Sequence, residues 1–131
     1  MIVLDTHVWL WWLHQPQKLS VQAQTLIDQE EQNNGLRVSA ISVWEIAVKV
    51  GLGKLVLPMQ INDWYAHAKA YPSLRIIAVN PSDAIASTQL PGTFHKDPAD
   101  RIIIALARRL RVPLITCDRK ILNYPDVVTI W

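Results

Sequence analysis

Short, unbroken apolar runs alternate with segments of helical spacing along the whole chain of 131 residues. The apolar runs lack the strict alternation of a sheet with one wet face, which favours parallel strands buried on both faces. Lys54–Leu57 is expected to add a short extended segment before Pro58. The pattern predicts strands at Met1–Leu4, Arg37–Ala40, Leu74–Val79, Val112–Thr116 and Val127–Ile130.

The segments between these strands carry signals that start and stop helices. Ser20 is placed to cap one helix, and Pro98 suits the first turn of the longest one. Helices are predicted at Thr6–Leu13, Val21–Gln32, Asn62–Ala70, Ser82–Gln89 and Pro98–Arg111, with another from Ser42 to the glycines at 51 and 53 and a helical turn at Arg119–Leu122. This order predicts one α/β domain over residues 1–131, a three-layer α/β/α sandwich with a central, mostly parallel sheet.

Composition excludes several classes of protein. Half of the residues are apolar, yet no run approaches the roughly 18 apolar residues of a membrane span. Asp5 interrupts the apolar N-terminal run, which also lacks the basic stretch of a signal peptide. The single cysteine, Cys117, excludes an internal disulfide and fits a reducing compartment, so we expect a cytoplasmic protein.

The positive charge is unevenly distributed. The formal net charge is only +2, but seven of the thirteen Lys and Arg residues lie at or beyond Lys96. They are Lys96, Arg101, Arg108, Arg109, Arg111, Arg119 and Lys120. A basic face of this kind could follow a phosphate backbone, although a solvated helix face explains it as well.

Four acids lie where a predicted strand gives way to a helix. Asp5 follows the first strand, Glu45 lies early in the helix after the second, Asp100 opens the long helix, and Asp118 follows the fourth strand. The carboxyl ends of parallel strands share one edge of the sheet, and ligands bind outside that edge. We therefore expect these four side chains to converge.

Several carboxylates cannot all be ionised close together unless a cation lies among them. The oxygen donors, with no Cys or His cluster nearby, favour Mg²⁺, with Mn²⁺ as a possible substitute. Such an ion suits phosphodiester hydrolysis, with the four acids as metal ligands and catalytic groups. His7 and His95 are interpreted as structural or phosphate-contacting groups, not as ligands.

Helix capping is the competing interpretation of these acids. Ser42 and Glu45 have the spacing of a capping box, and so do Asp97 and Asp100. Asp118 could cap its helical turn, and Asp83 and Asp63 are interpreted only as caps. Of all these acids, Asp5 fits the capping interpretation least well. If capping explains all of them, the chain is a catalytically silent module that binds RNA or protein. The shared position of the four acids favours the metal site.

The order and spacing of four motifs resemble one family over essentially the whole chain. The motifs are LDTHVWLW, SAISVWEIAVKVGLGKL, HKDPADRIIIALA and PLITCD. They resemble the PIN-domain family, and within it the VapC-type ribonuclease toxins of toxin–antitoxin pairs. The resemblance implies a PIN-like fold and a Mg²⁺-dependent endoribonuclease, usually a homodimer, that is neutralised by a small antitoxin. It places the family's acids at Asp5, Glu45, Asp100 and Asp118, with Asp97 as an additional acid.

Two further alternatives can be weighed. A phosphatase of the haloacid-dehalogenase kind needs a second Asp two residues after the first, whereas this chain has His7 at that place. A structural subunit is suggested by Trp9, Trp11 and Trp12, because three tryptophans within four residues cannot all face the core. Part of that helix is therefore expected at an interface.

Overall fold

The computed structural model describes every residue from 1 to 131. Its centre is a five-stranded sheet in which every strand pair is parallel and the order is β3-β2-β1-β4-β5. The strands are β1 (Ile2–Leu4), β2 (Leu36–Ser39), β3 (Leu74–Ile77), β4 (Leu114–Ile115) and β5 (Thr129–Ile130). The predicted parallel sheet is confirmed.

Seven helices connect these strands. They are α1 (Thr6–His14), α2 (Val21–Gln32), α3 (Ala40–Gly51), α4 (Ile61–Lys69), α5 (Pro81–Thr88), α6 (Pro98–Leu110) and α7 (Arg119–Leu122), with a 3-10 turn at Pro16–Lys18. None of them combines the length and apolar character that crossing a lipid bilayer requires.

Alternate residues of β1 enter two different hydrophobic clusters. Ile2 and Leu4 pack with Trp9 and Ile46 on one face of the sheet. Val3 packs with residues of α6 such as Ile103 on the other face. Successive strand side chains point to opposite faces, so the sheet is covered by helices on both sides, as the α/β/α prediction requires.

Several helix ends follow the predicted signals, and one does not. Ser20 caps α2 by accepting the N–H of Ala23, and Asp97 caps α6 by accepting the N–H of Asp100. The capping box predicted at Ser42 is wrong, because α3 already begins at Ala40 and the Oγ of Ser39 accepts the N–H of Ile41. Glu45 therefore lies in the second turn of α3, where a helix has no free N–H for it to cap.

Three smaller predictions also need correction. Lys54–Leu57 forms no strand. The cap of α5 is Asn80, whose Oδ1 accepts the N–H of Asp83, and Asp83 instead receives two hydrogen bonds from Arg109 across the α5–α6 contact. Asp63 lies inside the first turn of α4, and the cap residue there, Gln60, makes no side-chain bond. The negative charge of each acid is favourable near the N-terminus of its helix, although neither residue is the cap.

Candidate active site

Asp5 links the first and fourth strands at the carboxyl edge of the sheet. It is 6% exposed. Its Oδ1 accepts the N–H of Thr6 at 2.8 Å, so it does cap α1, and its Oδ2 accepts the hydroxyl of Thr116 at 2.7 Å. Burial raises the pKa of Asp5, and these two hydrogen bonds oppose the rise. The carboxylate is thus held in one orientation by groups from β4 and α1.

A chain of hydroxyl groups holds Glu45. The hydroxyl of Thr6 donates to Oε1 of Glu45 at 2.6 Å, and the Oγ of Ser42 lies 2.7 Å from the same Thr6 oxygen. Thr6 has only one hydroxyl proton, so Ser42 must donate to Thr6 while Thr6 donates to Glu45. Burial raises the pKa of Glu45, whereas the Thr6 hydrogen bond lowers it. The hydrogen bond to Thr6 explains why Ser42 lies buried within the helix and is not its cap.

The carboxyl group of Asp100 is strongly perturbed by its surroundings. Burial raises its pKa first, and the negative charges of Asp5, Asp97, Glu45 and Asp118 raise it further, to about 8. Like charges act in this way only over short distances. Asp5, Glu45 and Asp118 therefore lie within electrostatic range of Asp100, and their convergence into one metal site stays a prediction.

The capping interpretation accounts for some of the acids and not for others. Asp118 caps α7 by accepting the N–H of Lys120 at 2.8 Å, and Asp5 and Asp97 cap α1 and α6. Glu45 and Asp100 cap no helix. Capping therefore leaves unexplained two acids whose pKa is raised by burial and by other carboxylates.

The donors fit a hard divalent cation by their chemistry. They are carboxylate and hydroxyl oxygens, which Mg²⁺ prefers, and a cation offsets the repulsion that raises the pKa of Asp100. No three His, Cys, Asp or Glu side chains of the structure are gathered closely enough to surround an ion. The acids are thus neighbours and not a preformed ligand cage.

Three of the seven C-terminal basic residues are used inside the molecule. Arg109 pairs with Asp83, Arg108 donates to the backbone oxygen of Asp126, and Arg101 donates to three backbone oxygens. The predicted basic face is therefore smaller than the sequence suggests. Lys96, Arg119 and Lys120 remain exposed at or near the acids.

Arg101 holds the loop that leads into α6 in place by hydrogen bonds. This role was not apparent from the sequence. Its guanidinium group donates to the oxygens of His95, Ser87 and Phe94 at 3.0, 2.9 and 3.0 Å. The hydroxyl of Tyr124 holds the same loop through the oxygen of Pro91 at 2.6 Å. As a result His95 is fixed beside Asp100, with Nε2 of its ring 3.0 Å from Oδ2 of the acid. Only the short distance between His95 and Asp100 in the sequence hinted at this contact.

Comparison with known proteins agrees with the fold. The family model described as PIN domain matches residues 2–127. Ribonuclease VapC22 of Mycobacterium tuberculosis is 33% identical over 132 aligned positions, covering 99% of this chain and 98% of that protein. Two solved structures are similar over almost all of this chain. VapBC2 from Rickettsia felis, bound to a promoter DNA fragment, has a TM-score of 0.70 and 18% sequence identity, and 98% of that chain is covered. FitAcB from Neisseria gonorrhoeae has a TM-score of 0.68 and 21% sequence identity, and 97% of that chain is covered. The chain therefore belongs to the PIN-domain family and is similar to its VapC-type members, as the sequence motifs predict.

Proposed function

We propose that this chain is a divalent-metal-dependent endoribonuclease and the toxin of a toxin–antitoxin pair. The observation that carries the proposal is the group of Asp5, Glu45, Asp100 and Asp118 at the carboxyl edge of the sheet, with the pKa of Asp100 raised to about 8. The identity of 33% to a protein named a ribonuclease supports RNA as the substrate. Residues 1–131 would form one nuclease domain.

Each acid has a distinct proposed role. Asp5, Asp100 and Asp118 would hold Mg²⁺, or Mn²⁺ in its place, because each keeps at least one carboxylate lone pair outside its known hydrogen bonds. When bound, such an ion polarises a phosphodiester and lowers the pKa of a water molecule. Glu45 would orient the attacking water or help to hold a second ion, since Thr6 fixes one of its oxygens and leaves the other available. In-line attack then needs no covalent intermediate.

The binding-module alternative is less favoured. It relies on capping, and Glu45 and Asp100 cap no helix. A half-buried acid that caps no helix and has several like charges nearby is costly to keep ionised, and such acids are concentrated at functional sites. Membership of the PIN-domain family also disfavours the phosphatase alternative.

A small antitoxin is the proposed protein partner. Solved relatives of similar fold are described as VapBC assemblies and as a toxin–antitoxin complex from Klebsiella pneumoniae. A partner could offer an Arg or Lys to the carboxylates, because a cation at that place offsets their repulsion. The proposed activity belongs in the cytoplasm, where RNA is found and where Cys117 stays reduced.

A homodimer is also proposed, and Trp11, which is partly exposed, keeps part of α1 available to its interface. Trp9 is completely buried, and Trp12 packs on the core and on Tyr71. The larger exposed apolar surface lies on α3, where Trp44, Val48 and Leu52 follow one another at helical spacing and Trp44 is 58% exposed. An exposed apolar stripe of this kind suits a two-fold contact.

The experiment that tests the function measures cleavage of single-stranded RNA by the purified protein, with Mg²⁺ and with EDTA. We expect cleavage with the metal, none with EDTA, and none by the Asp100→Asn variant in either condition. Cleavage that persists in EDTA would refute the metal dependence. An inert wild type that still binds RNA would favour the silent binding module.

A further inference from the structure

A groove opens on the outer side of α1, next to the acids. Its volume is about 660 Å³, and its lining consists of one face of α1 and the segment 55–58. From α1 and the turn after it come His7, Trp11, His14 and Lys18. The spacing of the first three is that of one helix face, so the groove runs for about 10 Å along the helix axis.

The lining is aromatic and cationic. It contains two histidines, a lysine and a tryptophan, and it contains no Asp or Glu. Nζ of Lys18 lies 5.8 Å from the centre of the Trp11 ring, and the His7 ring lies 6.1 Å from it. The opposite wall, Leu55–Pro58, is apolar. A flat aromatic group beside a cation is the combination that binds a base together with its phosphate.

The orientation of His14 adds a hydrogen-bond donor to this groove. The indole N–H of Trp64, which can only donate, lies 2.8 Å from Nε2 of His14. Nε2 is therefore an acceptor, and in the neutral ring the proton lies on Nδ1. His14 is exposed, so this N–H is available to a phosphate or to a base edge.

His7 connects the groove to the acids. It lines the groove and lies in the first turn of α1, two residues after Asp5. A strand of RNA whose phosphodiester reaches the acids would therefore continue past His7 and into the groove. Lys18 would then lie at the far end of that path.

We propose that this groove binds the unpaired nucleotides that flank the scissile bond of a single-stranded RNA. The inference rests on the proposed ribonuclease function and adds a substrate-binding surface to it. Its polar half favours RNA over an apolar helix of a protein partner, since the Lys18 ammonium group and the ring N–H groups match phosphate and base edges. The volume lies within the range of roughly 300–1,000 Å³ typical of ligand sites, which accommodates a nucleotide.

The test places a negative charge at two exposed groove residues, by charge reversal in Lys18→Glu and by introducing a charge in Val56→Glu. Val56 is 90% exposed, and neither residue is part of the core. The matched control is Lys69→Glu, which reverses an exposed lysine that also lies over an aromatic ring, Tyr65, on α4 and outside the groove. Thermal unfolding of each variant checks that it folds like the wild type.

Binding is measured by fluorescence anisotropy of a short labelled single-stranded RNA, with all variants in an Asp5→Asn background and in EDTA so that the RNA stays intact. We expect the double variant to bind about tenfold more weakly and the control to bind like its parent. Lys18→Glu should also reduce the slope of log K against log salt by about 0.7, the value for one phosphate contact on a single strand. In the active background the groove variants should raise KM for RNA more than they lower kcat.

The outcomes separate this inference from the function it rests on. A wild type that neither cuts nor binds RNA overturns both. A wild type that cuts RNA, with groove variants whose Kd, salt slope and KM are unchanged, overturns the groove alone. Groove variants that keep their RNA affinity but no longer co-purify with a co-expressed antitoxin would assign the groove to that protein, which also overturns the inference.

Discussion

Nε2 of His95 lies 3.0 Å from Oδ2 of Asp100, and this nitrogen is shielded from solvent without a well-aligned hydrogen bond of its own. The backbone N–H of Asp97 donates to the other ring nitrogen, Nδ1, at 3.3 Å. In the neutral ring the proton must then be on Nε2, facing the acid. The His95 ring therefore limits the positions that the Asp100 carboxylate can take.

We expect His95→Ala to lower kcat by about 10–100-fold, the usual effect of losing a group that orients a metal ligand. KM for RNA should change little, because His95 acts on Asp100 and not on the distant parts of the substrate. His95→Gln, whose side-chain N–H₂ can take the place of Nε2–H, should recover part of the loss. An alanine variant with wild-type kcat would show that the contact has no part in the reaction.

The metal-free protein should lose stability as pH rises. The pKa of Asp100 is about 8 in the folded chain against a normal value of 3.8, so folding keeps a proton that the unfolded chain releases. The contribution of this proton to the free energy of unfolding is complete below about pH 4. It decreases as the pH rises and is gone above about pH 8, with a slope of at most about 1.4 kcal/mol per pH unit for one proton. Thermal unfolding in EDTA measures it.

Asp100→Asn is the matched variant for this pH dependence. Its unfolding temperature should depend less on pH in EDTA, and Mg²⁺ should remove much of the dependence from the wild type by stabilising the ionised acid. Equal pH profiles of the variant and the wild type in EDTA would contradict the position of Asp100 among the other acids.

The ion pair between Asp83 and Arg109 predicts a stability effect away from the site. Asp83 is 3% exposed and Arg109 is 37% exposed. Arg109→Met leaves the Asp83 carboxylate without its two hydrogen bonds, so we expect a loss of about 2–3 kcal/mol, below the value for a completely buried pair. Chemical denaturation should show this loss, and the double variant Arg109→Met/Asp83→Leu should recover most of it. If the Arg109→Met variant is as stable as the wild type, water solvates the Asp83 carboxylate as well as Arg109 does, and the ion pair contributes nothing to stability.

The homodimer proposal predicts a change in mass. Light scattering at micromolar concentrations should give twice the chain mass for the wild type and the single mass for Trp44→Glu, which introduces a charge on the α3 stripe. Thr25→Glu on exposed α2 is the control and should remain a dimer. A wild type that is monomeric throughout would refute the proposal, and a dimeric Trp44→Glu would place the interface elsewhere.

Much of the fold could be predicted because it depends on local patterns. The apolar runs became the strands of a parallel sheet, and caps such as Ser20 and Asp97 were recognisable from their spacing. Four strands, β1, β3, β4 and β5, are shorter than predicted. Pro113, which has no N–H to donate, precedes β4 at Leu114–Ile115. The neighbourhood of the acids followed from one rule, that parallel strands end at one edge.

Contacts between distant segments could not be predicted in the same way. Ser42 has the local appearance of a helix cap, but its hydroxyl is used by Thr6, which lies 36 residues earlier. Arg101 looked like part of a basic face until the loop oxygens that it binds were known. The groove at Trp11 is formed partly by the segment 55–58. No periodicity in the sequence predicts that this segment lies beside α1.

Asp5 and its neighbours are proposed to form a metal site that cuts RNA, and the Asp5→Asn variant removes one carboxylate from it. Asp5→Asn keeps the side-chain shape, so its fold and its hydrogen bond to the N–H of Thr6 should persist while a negative charge is lost. The measurement is Mn²⁺ or Mg²⁺ affinity by calorimetry together with RNA cleavage on the same preparations. We predict that wild type binds the ion and cuts RNA, and that a folded Asp5→Asn binds it at least tenfold more weakly and cuts nothing. A folded Asp5→Asn that keeps wild-type metal affinity and cleavage would contradict the account.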